Sequence, residues 1–247
     1  MKINYQVKGE GVSLILLHGW GGSISSLAPL QDQLSDLGFQ VFNLDLPGFG
    51  QSTMSKEEMT ISDYVEFLAN YINRLNIYKP VIVGHSFGGQ VAMAFAIKNP
   101  LVASRLVLIN ASGLNPRNGM KKTSMLIVAK IFGAVLSIPP FSIIKGISRK
   151  LFYKFIVRES DYAKAGNMKS TMKNILAKNL DQEIEKIEED TLIIWGEKDS
   201  QTPLWMGKLL SEKIKNSRLE IIENATHGLP IKQPELVANL IYTYIKA

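Results

Sequence analysis

Short apolar runs alternate with stretches of helical periodicity through most of the chain. Ile3, Tyr5 and Val7 alternate with polar neighbours, as in a half-buried first strand. Val12 to Leu17 is continuous and almost wholly apolar, the pattern of a strand covered on both faces. A helix is expected from about Ser25 to Leu37, closed by Gly38, followed by a strand over Val41 to Leu44. The run Asp45-Leu46-Pro47-Gly48-Phe49-Gly50-Gln51-Ser52 reads as loop from its Pro and Gly content. Ile61 to Leu75 predicts the next helix, with Thr60 as its cap. Pro80 to Val83 is rich in β-branched residues and reads as a second buried strand, and it runs into Gly84-His85-Ser86-Phe87-Gly88-Gly89. A helix follows at once, since Val91, Ala92, Phe95 and Ala96 recur at helical spacing before Asn99-Pro100 stops it. Arg105 to Ile109 is a further strand. Strict alternation of this kind predicts an α/β fold, a mostly parallel central sheet flanked by helices on both faces.

The alternation then breaks. From about Leu114 to Asn179 the pattern is helical, with apolar groups at Leu126, Ile127, Ile131 and Phe132 and again at Ile143, Ile144, Ile147, Leu151 and Phe155. Strands resume at Thr191 to Trp195 and Leu219 to Ile222, and a helix from Pro234 to Lys246 closes the chain. A helical stretch between two strands is most simply an excursion over the sheet, because its ends must return to neighbouring strands. The expected organisation is therefore a core of residues 1–113 and 180–247 with a helical lid or cap over 114–179.

Composition narrows this picture only a little. With 247 residues and 46% hydrophobic content the chain can bury one large core. It has no cysteine, which excludes disulfides and cysteine-ligated metals. Residues 1–11 lack the apolar centre of a signal peptide, so a cytoplasmic protein is expected. The longest apolar stretch, Met125 to Ile144, is interrupted by Lys130 and broken at Pro139-Pro140, which makes it a poor membrane-spanning segment. Charge is unevenly placed: Leu114 to Leu180 holds 13 Lys or Arg against Glu159 and Asp161, about +11, and the remainder carries about −5. No arginine-and-aromatic motif accompanies this charge, so no nucleic-acid partner is expected.

The chemistry centres on Ser86, between a strand and a helix, where a sharp turn pushes a hydroxyl out at the sheet's edge. Gly84 and Gly88 suit such a turn, because a Cβ at either position crowds it. A serine hydroxyl needs a base to take its proton. Of three histidines, His18 lies after an early strand and His85 is adjacent to the serine on a tight turn, its ring directed away. His227 lies after the last strand, on a loop that a parallel sheet delivers to the same edge as Ser86, and is the preferred base. The imidazole needs a carboxylate partner. Trp195-Gly196-Glu197-Lys198-Asp199 offers Glu197 and Asp199, and Asp199 is far enough along the loop to turn back. The place after Ile109 holds Asn110, Ala111 and Ser112 and no acid, which favours Asp199. Asp199 also fits as a turn former or helix cap ahead of Pro203. Backbone N–H groups of Phe87 and Trp20 are the candidate oxyanion donors. His18 and the glycines after it fit equally well as turn formers.

The order Ser86, Asp199, His227, the Gly84 to Gly88 elbow and the His18 to Gly22 loop together resemble the α/β-hydrolase superfamily along essentially the whole chain. The resemblance implies a serine hydrolase without metal or organic cofactor and identifies the helical insertion with the family's lid. Segments near Ser160 to Lys173 and Trp195 are also similar to hydrolases that cleave carbon–carbon bonds in ring-opened aromatic diketones. Those enzymes usually carry a tryptophan after the catalytic histidine and an asparagine after the oxyanion loop, where this chain has Gly228 and Leu27. An esterase or lipase-like activity on carboxylic esters is therefore the expected function. Carbon–carbon cleavage, acyl transfer by the same residues and a silent binding role stand as alternatives. The apolar, basic lid suits a hydrophobic acyl substrate with a negatively charged part, or transient docking on an anionic membrane surface.

Overall fold

The computed structural model of the chain describes residues 2–114 and 168–246. Residues 2–114 and 173–246 belong to one compact unit. Most of the expected lid, and most of its basic charge, lies outside the described residues.

The apolar runs become strands and the periodic stretches become helices. In chain order the elements are β1 (Tyr5–Lys8), β2 (Val12–Leu17), α1 (Ile24–Asp36), β3 (Phe39–Leu44), α2 (Ile61–Arg74), β4 (Val81–His85), α3 (Phe87–Lys98) and β5 (Arg105–Ile109). After the undescribed residues come α4 (Lys169–Ala177), a 3₁₀ turn over Ile184–Lys186, β6 (Asp190–Gly196), α5 (Trp205–Lys213), β7 (Ser217–Ile222), the short α6 (Leu229–Lys232) and α7 (Pro234–Lys246). Helix α5, the 3₁₀ turn and α6 are absent from the sequence reading. Their apolar positions are few and α6 is a single turn, so periodicity left no mark of them.

The strands form one 7-stranded sheet in the order β1-β3-β2-β4-β5-β6-β7. All pairs are parallel except β1 with β3, so the sheet is mostly parallel with an antiparallel edge. The central strands are fully covered: Leu14 to Leu17 and Leu106 to Ile109 expose nothing to solvent. Because strand side chains alternate between faces, Leu14, Leu16, Val81, Val83, Val107, Ile109, Leu192 and Ile194 meet Leu27, Leu30 and Leu34 of α1 and Val237, Ala238 and Ile241 of α7. Trp195 points to the opposite face, where Gly207 of α5 packs so closely on the indole that a Cβ there would come within 2.7 Å of it.

Parallel strands all end at one edge, and that edge receives every candidate group. Trp20 follows β2, Ser86 follows β4, Asn110 follows β5, Asp199 follows β6 and His227 follows β7. Close backbone approach sets where the β4–α3 turn sits. A Cβ on Gly88 would overlap the Leu17 carbonyl oxygen, and one on Gly84 would lie 2.5 Å from the Gly88 carbonyl oxygen. Among the described residues no helix is long and apolar enough to cross a membrane.

These contacts are with backbone, which cannot swing aside. Gly88→Ala is therefore expected to cost about 3 kcal/mol of stability, seen as a lower urea midpoint. Gly228→Ala has ordinary φ and only the flexible Lys232 side chain nearby, and is expected to cost about 0.5 kcal/mol. Equal losses in the two variants would contradict this reading of the turn.

Candidate active site

Ser86 is held at φ 52°, ψ −115°, a left-handed conformation that a non-glycine residue adopts only where its surroundings enforce it. Its own backbone is pinned from both sides. Ser86 N–H donates to the Ile109 carbonyl at 3.0 Å, and its carbonyl accepts from Gln90 N–H at 3.1 Å and Ser112 N–H at 3.0 Å. The result is a half-buried hydroxyl at the mouth of the turn, with α3 starting at the next residue.

Three side chains from separate loops then line up. The Ser86 hydroxyl lies 3.0 Å from His227 Nε2, and His227 Nδ1 lies 2.7 Å from Asp199 Oδ2. This network assigns the histidine tautomer: Nδ1–H donates to the carboxylate, and the Nε2 lone pair accepts from the serine. Asp199 is itself satisfied at both oxygens. Oδ1 accepts from Gln201 N–H at 2.6 Å and Thr202 N–H at 2.9 Å, and Oδ2 lies 2.7 Å from the Thr202 hydroxyl. Burial alone would raise the Asp199 pKa, but the bonds from His227 and Thr202 outweigh it and hold the carboxyl below its usual value. The group is thereby kept ionised and acceptor-only. Glu197, the other acid of this loop, is exposed and accepts from Asn224 N–H at 3.1 Å, away from His227.

The loop after β2 reaches the same place. A Cβ on Gly19 would stand 3.2 Å from Ser86 Cβ. The Gly19 carbonyl accepts from Gly22 N–H at 3.0 Å and lies 2.7 Å from His18 Nδ1. His18 Nε2 in turn accepts from Leu46 N–H at 3.0 Å, so the buried ring is the neutral Nδ1–H tautomer, and burial keeps its pKa low. In a planar trans peptide the C=O and N–H point in opposite directions. Locking the Gly19 carbonyl therefore locks the direction of the Trp20 N–H. Phe87 N–H is in the first turn of α3, where it has no intrahelical partner. Asp45 braces this loop from behind, accepting from Ile24 N–H at 2.7 Å and from Gln51 N–H and Asn4 Nδ2, each at 2.8 Å. Trp20 of this loop packs on aromatic rings of the core: it meets Phe49 at 4.9 Å and Phe87 at 5.6 Å, and Tyr64 meets Phe87 at 4.9 Å.

Two groups passed over in the sequence prove central to the geometry. His85 is buried and its Nε2–H donates to the His227 carbonyl at 2.8 Å. Asn110 is buried at φ 45° and also binds the His227 loop. His85 lies within the Gly84 to Gly88 pentapeptide but its partner is 142 residues away, and Asn110 carries no motif signal, although an Asn just past a buried strand does suit a left-handed backbone. Among the described residues no group of three His, Asp or Glu side chains is arranged to hold a metal ion.

Strands β2 to β5 of the mostly parallel sheet and the serine turn between β4 and α3 lie within a stretch that matches a known family model. Residues 12–135 match the model of the alpha/beta hydrolase fold, and residues 165–247 match that of TAP-like proteins. The chain belongs to the α/β-hydrolase family. This α/β hydrolase is 28% identical to an uncharacterised hydrolase, YugF, of Bacillus subtilis over 98% of its own length and 93% of the relative's. It is also 28% identical to 2-hydroxy-6-oxononadienedioate/2-hydroxy-6-oxononatrienedioate hydrolase 1 of Pseudomonas putida, over 92% of this chain and 86% of that one. Among solved structures, an esterase (EaEST) from Exiguobacterium antarcticum superposes with a TM-score of 0.74 at 22% identity, covering 99% of this chain and 96% of the esterase. At that identity the likeness is one of fold.

Burial and the neighbouring His227 push the His85 pKa down from 6.5 to about 4. The folded value lies below the unfolded one, so between them the unfolded chain binds more protons. His85's contribution to stability is complete above about 6.5 and is lost as pH falls toward about 4. The urea midpoint is expected to drop across this window, and to drop less in His85→Gln, whose side chain retains a donor but does not titrate. An identical pH dependence in the two proteins would show that His85 does not carry it.

Proposed function

We propose that this α/β hydrolase cleaves carboxylic esters of hydrophobic acids. Ser86 Oγ attacks the acyl carbonyl while its proton passes to His227 Nε2, forming a tetrahedral intermediate. Asp199 holds the imidazole in the required tautomer and stabilises its positive charge. The Trp20 and Phe87 N–H groups, with the positive end of α3 behind the latter, stabilise the oxyanion. His227 then gives its proton to the leaving alkoxide as the carbon–oxygen bond breaks, and water repeats the sequence on the acyl-enzyme to release the acid.

The single observation that carries this reading is the unbroken line of contacts from Ser86 Oγ through His227 to Asp199, at 3.0 and 2.7 Å. Support for a hydrophobic acyl group comes from the partly exposed Trp20 ring, which packs edge-on against Phe49 and Phe87 in the loop next to Ser86. Carbon–carbon cleavage is the second reading, favoured by the likeness to the Pseudomonas putida dienedioate hydrolase. Against it stand Gly228 and Leu27, at places where such enzymes usually carry a tryptophan and an asparagine.

Hydrolysis of p-nitrophenyl esters of graded acyl length, beside a 2-hydroxy-6-oxodienoate, separates the two readings. Ester turnover that peaks at one chain length and falls on the order of 10⁵-fold in Ser86→Ala and His227→Ala is expected. Retained turnover in either variant would overturn the assignment of the nucleophile or base. Turnover of the dienoate alone would overturn the ester reading.

A further inference from the structure

One amide side chain ties together the two loops that carry Asp199 and His227. Asn110 is fully buried directly after β5, in the strand adjacent to β4. Its Oδ1 accepts from Gly196 N–H at 2.9 Å, at the start of the Asp199 loop. Its Nδ2 donates to the Thr226 and His227 carbonyls, each at 3.1 Å. Its own N–H donates to the Ile194 carbonyl at 3.0 Å, extending the β5–β6 ladder by one residue. The residues around it grip the serine: Ser86 N–H bonds to Ile109, and Ser112 N–H bonds to the Ser86 carbonyl. Asn110 thus stands on a segment fastened to Ser86 and reaches out to both of the loops that carry Asp199 and His227.

We infer that Asn110 is a positioning residue for proton transfer, holding the Asp199 and His227 loops in one register against Ser86. The inference rests on the serine-hydrolase reading above. Backbone bonds from Lys198 N–H to Ala225 and from Glu197 N–H to Ile222 also join the two loops, but Asn110 is the side chain that joins both to the segment gripping Ser86, and a displacement of about 1 Å between reacting groups is enough to cost on the order of 10²-fold in rate. The chemistry of the contacts also requires an amide rather than an acid. One end of the side chain meets a donor and the other meets two acceptors, which only Asn satisfies at this length. An ionised aspartate would place an oxygen against the Thr226 and His227 carbonyls, with nothing to donate. His85 Nε2–H supports the same His227 carbonyl from the other side, so the loop is held by two donors of independent origin.

The test compares wild type, Asn110→Ala and Asn110→Asp by steady-state hydrolysis of p-nitrophenyl butyrate, with thermal unfolding in parallel. Asn110→Asp keeps the volume and the acceptor for Gly196 and replaces donation to the His227 loop with a carboxylate oxygen set against the Thr226 and His227 carbonyls. Both variants are expected to lose kcat on the order of 10²-fold while KM stays within about threefold, since substrate contacts are unchanged. A merely structural asparagine would lower the unfolding temperature without this split. Should Asn110→Ala fail to fold, Asn110→Asp decides. Wild-type kcat in a folded Asn110→Asp, or a change confined to KM, overturns the inference and leaves the hydrolase reading intact. Absence of turnover by the wild type on every ester overturns the reading and the inference with it.

Discussion

Placing a serine at positive φ between a buried strand and a helix costs about 1–3 kcal/mol, and the rest of the site follows from how that cost is met. The turn is tight because β4 passes directly into α3 with no linking residue other than Ser86. It can be tight only because Gly84 and Gly88 let backbone touch backbone, and it stays tight because Ser86 is hydrogen-bonded through both its N–H and its carbonyl. What emerges is a hydroxyl whose direction is set by the sheet rather than by its own rotamer freedom. The same turn presents the Phe87 N–H of α3 beside it, so the proposed nucleophile and one of the two proposed oxyanion donors come from one piece of geometry.

The remaining groups reach that hydroxyl because parallel strands deliver their exit loops to one edge. Each loop is then held by buried polar contacts that leave its functional atom free. His18 and Gly22 occupy the Gly19 carbonyl and so orient the following N–H. Asp199 Oδ1 is bound by the Gln201 and Thr202 N–H groups, and Oδ2 is shared between the Thr202 hydroxyl and His227. His227 is fixed through its backbone carbonyl by His85 and Asn110, which leaves its ring nitrogens for Asp199 and Ser86. Buried polar networks of this kind rigidify when every member is satisfied, which is the condition for a site that does little reorganising.

Much of this was legible in the sequence, for identifiable reasons. Runs such as Val12 to Leu17 suit strands covered on both faces, as Leu14 to Leu17 are, and the alternation of runs and periodic stretches implies a parallel sheet. The Gly-x-Ser-x-Gly pentapeptide between a strand and a helix has few other uses, and with three histidines elimination reached His227. The parts that escaped notice were those set by tertiary contact. Asn110 figured only as the absence of an acid, because nothing local says that its amide will span two loops more than 80 residues further on. Thr202 and His85 are likewise ordinary residues whose partners lie across the sheet's edge. Helix α5 went unread because it buries only Gly207 and Leu210, too few positions to leave a periodic apolar stripe.

The central claim is that Ser86 is a nucleophile activated by His227, and covalent labelling tests it without a choice of substrate. The protein would be treated with an alkyl fluorophosphonate, digested, and the adduct located by mass spectrometry, beside His227→Ala. A single adduct is expected on the peptide that carries Ser86, formed at least 10²-fold more slowly when the imidazole is gone, roughly the contribution of a general base. Labelling at another residue, or an unchanged rate in His227→Ala, would contradict it.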